Sequence, residues 1–234
     1  MNPHNVRALL FDVFGTVVDW HTSIAAEVAQ RLGLRHPGVD PSAFALAWRA
    51  GYQPAMQQVR SGALPWTNLD GLHRRILDVL LAERGIALTD AEAAELNRAW
   101  HRLQPWPDAV QGLLRLKLHR PVATLSNGNV ALLLNMARHA GLPWDMIFSA
   151  ELFGHYKPDP EAYLGACRLL GLPPQQVMLV AAHPSDLRAA ARCGLRTCYV
   201  ARPLEHGPGG PMEPLQQGEF DLQADSFITL AQQL

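Results

Sequence analysis

The residues best equipped for chemistry in this sequence stand at the ends of apolar runs. Asp12 closes Ala8-Leu9-Leu10-Phe11, Ser126 and Asn127 close Pro121 to Leu125, and His183 and Asp186 follow Val177 to Ala182. Lys157 lies in Tyr156-Lys157-Pro158-Asp159, just ahead of a helical pattern that starts at Pro160. A carboxylate, an ammonium, an imidazole that titrates near neutrality, and short hydroxyl and amide groups supply charge pairing, proton transfer and hydrogen bonds to a small polar substrate. An isolated aspartate after an apolar strand is ordinarily a turn or cap residue. Here four polar clusters would converge on one crevice if the flanking segments form one sheet, and that convergence makes Asp12 the centre of a candidate site.

The elements that must position these residues follow from the apolar pattern. Ala8 to Phe11 is a short, continuously apolar run ending at a glycine turn, as expected for a strand buried on both faces. Pro121–Ser126, Val177–Ala182 and Arg196–Ala201 look the same, and helical patterns separate them at Val130–His139, Pro160–Leu170 and Ser185–Cys193. Asp159 is placed as an N-cap, with Pro160 at the first helical position. Strands alternating with helices imply an α/β fold with a right-handed, doubly wound parallel sheet, whose ligands bind beyond the carboxyl ends of the strands. From about Trp20 to Leu103 the alternation breaks. Helix-period residues (Ile24, Val28, Leu32; Phe44, Ala47, Trp48; Leu72, Ile76, Val79, Leu80) occur with no convincing strand. The expected organisation is a Rossmann-like core over 1–19 and 104–234 with an inserted helical cap over 20–103, ending near Pro105-Trp106-Pro107. Pro203 to Pro214 reads as a loop followed by a further helix-like segment.

Bulk properties narrow the partners. The chain has 234 residues, 48% apolar and 18% charged, with a formal net charge of -1. That charge favours neither nucleic acid nor an anionic membrane, so attraction for an acidic substrate must come from locally placed Arg and Lys. Cys167, Cys193 and Cys198 form no Cys-x-x-Cys pair and read as small buried hydrophobes in a reducing compartment. No apolar run reaches the roughly 20 residues of a membrane-spanning helix. No signal peptide is read at the start, where Asp12 interrupts the apolar stretch. A cytoplasmic protein is expected.

Asp12-Val13-Phe14-Gly15-Thr16, Leu125-Ser126-Asn127-Gly128, Tyr156-Lys157-Pro158-Asp159 and the Asp186 region, in that order and spacing, resemble the haloacid dehalogenase superfamily over essentially the whole chain. The resemblance implies a Rossmann-like core, a helical cap that closes over the site, and Asp12 as nucleophile. Two departures separate this chain from the magnesium-dependent phosphatases of that superfamily. Phe14 stands where they carry a second aspartate, the general acid for a leaving alkoxide. Ala181-Ala182-His183-Pro184-Ser185-Asp186 carries one carboxylate where they usually pair acids around magnesium, a hard cation that needs several oxygens. A halide leaves without a proton, so the pattern resembles the (S)-2-haloacid dehalogenase branch. The implied reaction is hydrolysis of short 2-haloacids to 2-hydroxyacids through an ester on Asp12, with no cofactor or metal.

Within that resemblance, Lys157 would lower the pKa of Asp12 and Thr16 would orient its carboxylate. Ser126 and Asn127 would hydrogen-bond the substrate carboxylate or departing halide, and Arg49 matches the halide-receiving arginine by its place in the cap. Phe14, Tyr52 and Trp66 are candidates for the apolar wall of a small pocket suited to two- or three-carbon acids; Tyr52 and Trp66 fit cap core equally. Tyr163 matches a family position and also fits packing on the sheet. Asp186 would pair with Lys157 or position water. His183 replaces a short polar amide of the best-known members. It would either act as general base for ester hydrolysis, oriented by a nearby carboxylate, or only hydrogen-bond as the amide does. A homodimer is expected by family analogy. A magnesium-dependent phosphatase or phosphonate hydrolase, and a non-catalytic metabolite-binding protein, are the alternatives.

Overall fold

Leu9 and Phe11 face one side of a central sheet and Leu10 faces the other, and all three are fully buried. That double burial is why the first strand reads as an unbroken apolar run. The structure is a computed structural model that describes residues 5–234. Its sheet has six strands: β1 (Ala8–Phe11), β4 (Val122–Ser126), β5 (Met146–Ser149), β6 (Val177–Ala181), β7 (Arg196–Val200) and β8 (Leu222–Ala224). They run in the order β5-β4-β1-β6-β7-β8, and every pairing between neighbours is parallel. The α/β doubly wound sheet expected from the sequence is present, with β1 at its centre. β5 and β8 are additional: β5 begins with an exposed Met146 and β8 has three residues, so neither shows the apolar run of an inner strand.

Helices cover both faces. α6 (Ala109–Lys117), α7 (Val130–Ala140) and α11 (Phe227–Gln233) pack with Leu9 and Phe11, whereas α9 (Pro160–Leu170) and α10 (Pro184–Arg192) pack with Leu10, Leu125 and Leu179. Two short antiparallel strands, β2 (Val18–Asp19) and β3 (Gln104–Pro105), pair Val18 with Pro105 and Asp19 with Gln104. Between them the chain is helical: α1 (Trp20–Leu32), α2 (Pro41–Ala50), α3 (Tyr52–Arg60), α4 (Leu69–Glu83), α5 (Asp90–Asn97) and a 3-10 turn at Arg98–His101. Side-chain caps start several of them. Asp19 accepts from Thr22 N, Asp40 from Ser42 and Ala43 N, and Asn68 from Gly71 N, while Thr89 and Glu92 form a capping box. Trp20, Phe44, Trp48, Leu72 and Trp100 bury these helices against one another and against the sheet face that carries Phe11. α8 (Ala150–Phe153) is a single turn after β5.

Asp159 occupies the N-cap of α9 as expected, but its side chain makes no cap bond. It pairs instead with Arg60 at the end of α3, and an ion pair across two segments outcompetes the local amides. The three cysteines are free, with Cys167 and Cys198 buried. Among the described residues no helix is long and apolar enough to cross a membrane.

Arg202, after β7, ties the sheet edge to α11. Its guanidinium donates twice to Asp108, at 2.8 and 3.0 Å, and Asp108 also accepts from Phe227 N at 2.7 Å. Burial opposes ionisation of Asp108, yet Arg202 and the Phe227 amide hold its carboxyl below the usual range. Asp108→Ala leaves that guanidinium and amide without their acceptor. It is expected to lower stability by roughly 2–3 kcal/mol at neutral pH in urea unfolding, with most of the difference gone once the carboxylate protonates in acid.

Candidate active site

The carboxyl ends of β1, β4 and β6 bring the expected side chains to one place. Asp12, one residue beyond β1, is buried with both oxygens engaged: Oδ1 accepts from Lys157 Nζ at 2.9 Å, and Oδ2 accepts from Thr16 Oγ1 at 2.7 Å. Thr16 Oγ1 in turn accepts from Ala182 N at 2.9 Å, so the loop after β6 fixes the hydroxyl that fixes the nucleophile candidate. Lys157 Nζ also donates to Asp186 Oδ2, and Tyr163 Oη donates to Asp186 Oδ1 at 2.5 Å. Tyr163 is fully buried as well, so its packing and its polar contact coexist.

His183 lies between two carboxylates. Nδ1 is 3.1 Å from Asp12 Oδ2, and Nε2 is 2.9 and 3.0 Å from the two oxygens of Glu205. Glu205 is the functional residue that the sequence reading missed. It sits in the Pro- and Gly-rich loop after β7 and is buried, where it also accepts from Trp20 Nε1 at 3.1 Å. Its approach requires Gly15. That residue has φ +82°, and a Cβ added there would lie 2.1 Å from Glu205 Oε1. The available cue was thin: one of two glutamates inside a Pro–Gly loop, beside His206.

These contacts set the charges. Burial alone would raise the pKa of Asp12, but the Lys157 ammonium and the hydrogen bonds from His183 and Thr16 hold it well below the carboxylate range. Burial would likewise lower Lys157, and Asp12 with Asp186 raises it instead. Burial works against charge on His183 too, yet bonding to Asp12 and Glu205 raises it to about 10. The resting imidazole is therefore a cation that donates from both nitrogens. Glu205 is lowered, burial being outweighed by its bond from His183.

The remaining predicted residues divide. A cavity of about 760 Å³ is lined by Asp12, Phe14, Arg49, Tyr52, Ser126, Asn127, Lys157, His183 and Asp186 together with loop residues Glu205, Met212 and Glu213. It is larger than the small pocket expected, because it includes an entrance beside Gln53, Arg60 and Met212. Ser126 Oγ accepts from Gly128 N at 3.2 Å, which leaves its proton for another acceptor. Asn127 lines the cavity but its amide is committed to protein. Oδ1 accepts from Lys157 N at 2.7 Å, and Nδ2 donates to Tyr52 Oη at 3.0 Å and Lys157 O at 3.3 Å. Its side chain registers the Lys157 loop against α3 rather than pointing a free donor at a substrate. Trp66 is a correction: it is 40% exposed, does not line the cavity, and stacks on Tyr156 at 4.6 Å between ring centroids. Tyr156 Oη also donates to Thr67 O, next to Trp66 in the chain.

This donor set does not suit a divalent cation. The place between Asp12 and Asp186 is filled by the Lys157 ammonium, and neither Phe14 nor His183 offers the hard oxygens that such an ion needs.

Residues 6–194 match the family of haloacid dehalogenase-like hydrolases, and the chain belongs to that family. Among solved structures, the L-2-haloacid dehalogenase PA0810 is 51% identical with a TM-score of 0.93, over 97% of this chain and 98% of its own. The defluorinating L-2-haloacid dehalogenase Rha0230 is 50% identical with a TM-score of 0.94, over 98% and 95%. (S)-2-haloacid dehalogenase 1 of Pseudomonas sp. (strain CBS-3) is 30% identical over 84% of this chain and 85% of its own.

The bridged imidazole has a measurable signature. Because its folded pKa lies above its unfolded value near 6.5, His183 contributes stability that is fully present below pH 6.5 and lost as pH rises through about 10. NMR of the ring nitrogens is expected to show imidazolium through neutral pH. In Glu205→Gln the midpoint should fall by about one to two units, as for loss of an opposite charge in contact; an unmoved midpoint would contradict the assignment.

Proposed function

We propose that this enzyme hydrolyses short 2-haloacids to 2-hydroxyacids through an aspartyl ester on Asp12, without a metal. The observation that carries the reading is the Lys157 ammonium between Asp12 and Asp186. It keeps the nucleophile ionised in a buried site. Membership of a hydrolase family whose similar structures are L-2-haloacid dehalogenases supports the same reaction.

Asp12 Oδ1, held by Lys157 alone, is the freer oxygen for in-line attack on the carbon bearing halogen, since Oδ2 is engaged by Thr16 and His183. The new C–O bond forms as the carbon–halogen bond breaks, with inversion, and the halide leaves unprotonated toward Arg49. Ser126 receives the substrate carboxylate. Phe14 and Tyr52 exclude water from this displacement, with helical residues 20–103 acting as the cap.

Water then attacks the ester carboxyl carbon and gives one proton to His183; the acyl C–O bond breaks, the released alkoxide takes the water's second proton and departs as the 2-hydroxyacid, and Asp12 is restored as a carboxylate carrying the water oxygen. In the resting enzyme His183 is already protonated and takes no proton. Esterification removes the Asp12 charge, one of the two that hold the imidazole charged, so its pKa falls, it releases a proton to solvent, and the freed nitrogen accepts a proton from the attacking water with Glu205 still on the other nitrogen. This supports the base role for His183, with Glu205 in the orienting part. Similarity and the near-neutral net charge further support a cytoplasmic homodimer without a nucleic-acid partner.

Halide release from monochloroacetate, unaffected by chelator, tests the reaction. Asp12→Asn is expected to lose on the order of 10^4-fold or more, as removal of a nucleophile does elsewhere. Single turnover in isotopically heavy water should leave label in the Asp12 side chain. His183→Asn should slow ester hydrolysis about 10^2- to 10^4-fold and accumulate a covalent glycolyl adduct visible by intact mass. Hydrolysis at the wild-type rate in that variant removes the base role, and chelator-sensitive phosphate release in place of halide release removes the reaction.

A further inference from the structure

The base role of His183 leaves one proton in need of a carrier. The resting imidazole is a cation with both nitrogens engaged, Nδ1 on Asp12 and Nε2 on Glu205, so it must lose a proton between displacement and ester hydrolysis. Glu205 is a poor place for that proton, because the imidazole and Trp20 Nε1 hold its carboxyl below the usual range. Lys157, on the other side of Asp12, is already charged. Water alone is a weak proton acceptor, whereas an imidazole that titrates near the working pH takes up a proton and gives it away again.

A second imidazole, which the mechanism does not use, stands on the same wall. His206 follows Glu205 in the chain, is half-buried, and lines the cavity together with Asp12, His183 and Glu205. Its ring meets the Trp20 ring edge-on at 5.5 Å between centroids, and the N–H of that same indole donates to Glu205. His183, Glu205, Trp20 and His206 are therefore joined contact by contact. Turns on either side fix the backbone here: Glu205 N donates to Arg202 O at 3.1 Å and Gly207 N to Leu204 O at 2.9 Å. Among the described residues neither ring nitrogen of His206 has a hydrogen-bond partner, and both keep contact with solvent. The charged and titratable groups around it are Glu205, Arg49 on α2, His183, and His21 on α1. Burial, aided by Arg49, His183 and His21 and opposed by Glu205, lowers its pKa from the ordinary imidazole value. The ring is neutral at pH 7 and open to a proton.

We propose that His206 is the proton relay between His183 and solvent. After the halide departs, His183 Nδ1 gives its proton through cavity water to a ring nitrogen of His206, which passes it to bulk water. The freed Nδ1 then takes one proton from the attacking water, and the departing alkoxide takes the other. Each turnover frees one halide and one proton and returns His183 to its charged form. His206 touches no reacting atom and works through His183. The inference rests on the dehalogenase reading and the base role above.

The test follows wild type, His206→Ala and His206→Gln through a single turnover of chloroacetate at neutral pH in dilute buffer. Both variants are expected to release the first halide at close to the wild-type rate. They should then hydrolyse the glycolyl ester on the order of 10-fold more slowly, a smaller loss than removal of the base itself. Added imidazole should restore hydrolysis in His206→Ala in proportion to its concentration, and wild type should be indifferent to it. A slowdown that imidazole leaves untouched would mean that His206 only packs on Trp20, and would overturn the proposal. An unchanged rate of hydrolysis, or equal slowing of displacement and hydrolysis, overturns it too. A second readout needs no substrate: by NMR, the His183 ring N–H should exchange with solvent more slowly in both variants than in wild type. If wild-type enzyme releases no halide from any haloacid, the dehalogenase reading falls while this exchange still decides the relay. Slower exchange in the variants supports it, and equal exchange overturns it. Should His206→Ala fail to fold, His206→Gln, closer in size to the native residue, carries the hydrolysis and exchange measurements alone.

Discussion

An ionised carboxylate removed from water is the constraint around which this molecule is arranged. Asp12 must be charged to attack carbon and shielded so that water does not compete, and burial alone would protonate it. The structure answers with a chain of alternating charge: Asp186, Lys157, Asp12, His183 and Glu205, each in contact with the next. Burial works against the charged forms of Lys157, Asp12, His183 and Glu205, and their charged neighbours outweigh it. The members come from the loops after β1, β6 and β7, from the first turn of α10 and from the segment before α9, so the parallel sheet serves to bring distant segments into one row.

The same row explains why the site reads as a displacement at carbon. Lys157 is pinned through its backbone to Asn127 and through Nζ to two carboxylates, and Phe14 and His183 do not offer the hard oxygens a divalent cation needs. A leaving group that needs neither a proton nor a cation is the one this electrostatic arrangement can serve. Beside it the Arg49 guanidinium lies over the Tyr52 and Trp20 rings on the cavity wall.

How much of this was legible in the sequence depended on whether a residue's role was local. The inner strands were, because double burial forces a continuous apolar run. So were Asp12 and Lys157, each fixed by a strand end or a Pro-marked helix start. Edge strands β5 and β8 were not, since one lies partly exposed and the other has only three residues. Glu205 was illegible for a different reason. Its loop has no periodicity, and its partner His183 lies 22 positions earlier. Trp66 misled because a tryptophan near an arginine-bearing helix suits a pocket wall, and only the tertiary contact with Tyr156 sends it outward. Asn127 was located correctly, but no spacing rule shows that its amide is already spoken for.

Gly15 deserves a wider reading than turn geometry. The position next to the nucleophile's own loop is kept bare so that a side chain from nearly two hundred residues away can reach through it. Residue 15 thereby decides whether Glu205 can stand against His183. A random library scored by activity would rank it beside the reacting groups, although it touches neither substrate nor product. Engineers wishing to transplant this chemistry onto a related scaffold must therefore carry over an empty space as well as a glutamate.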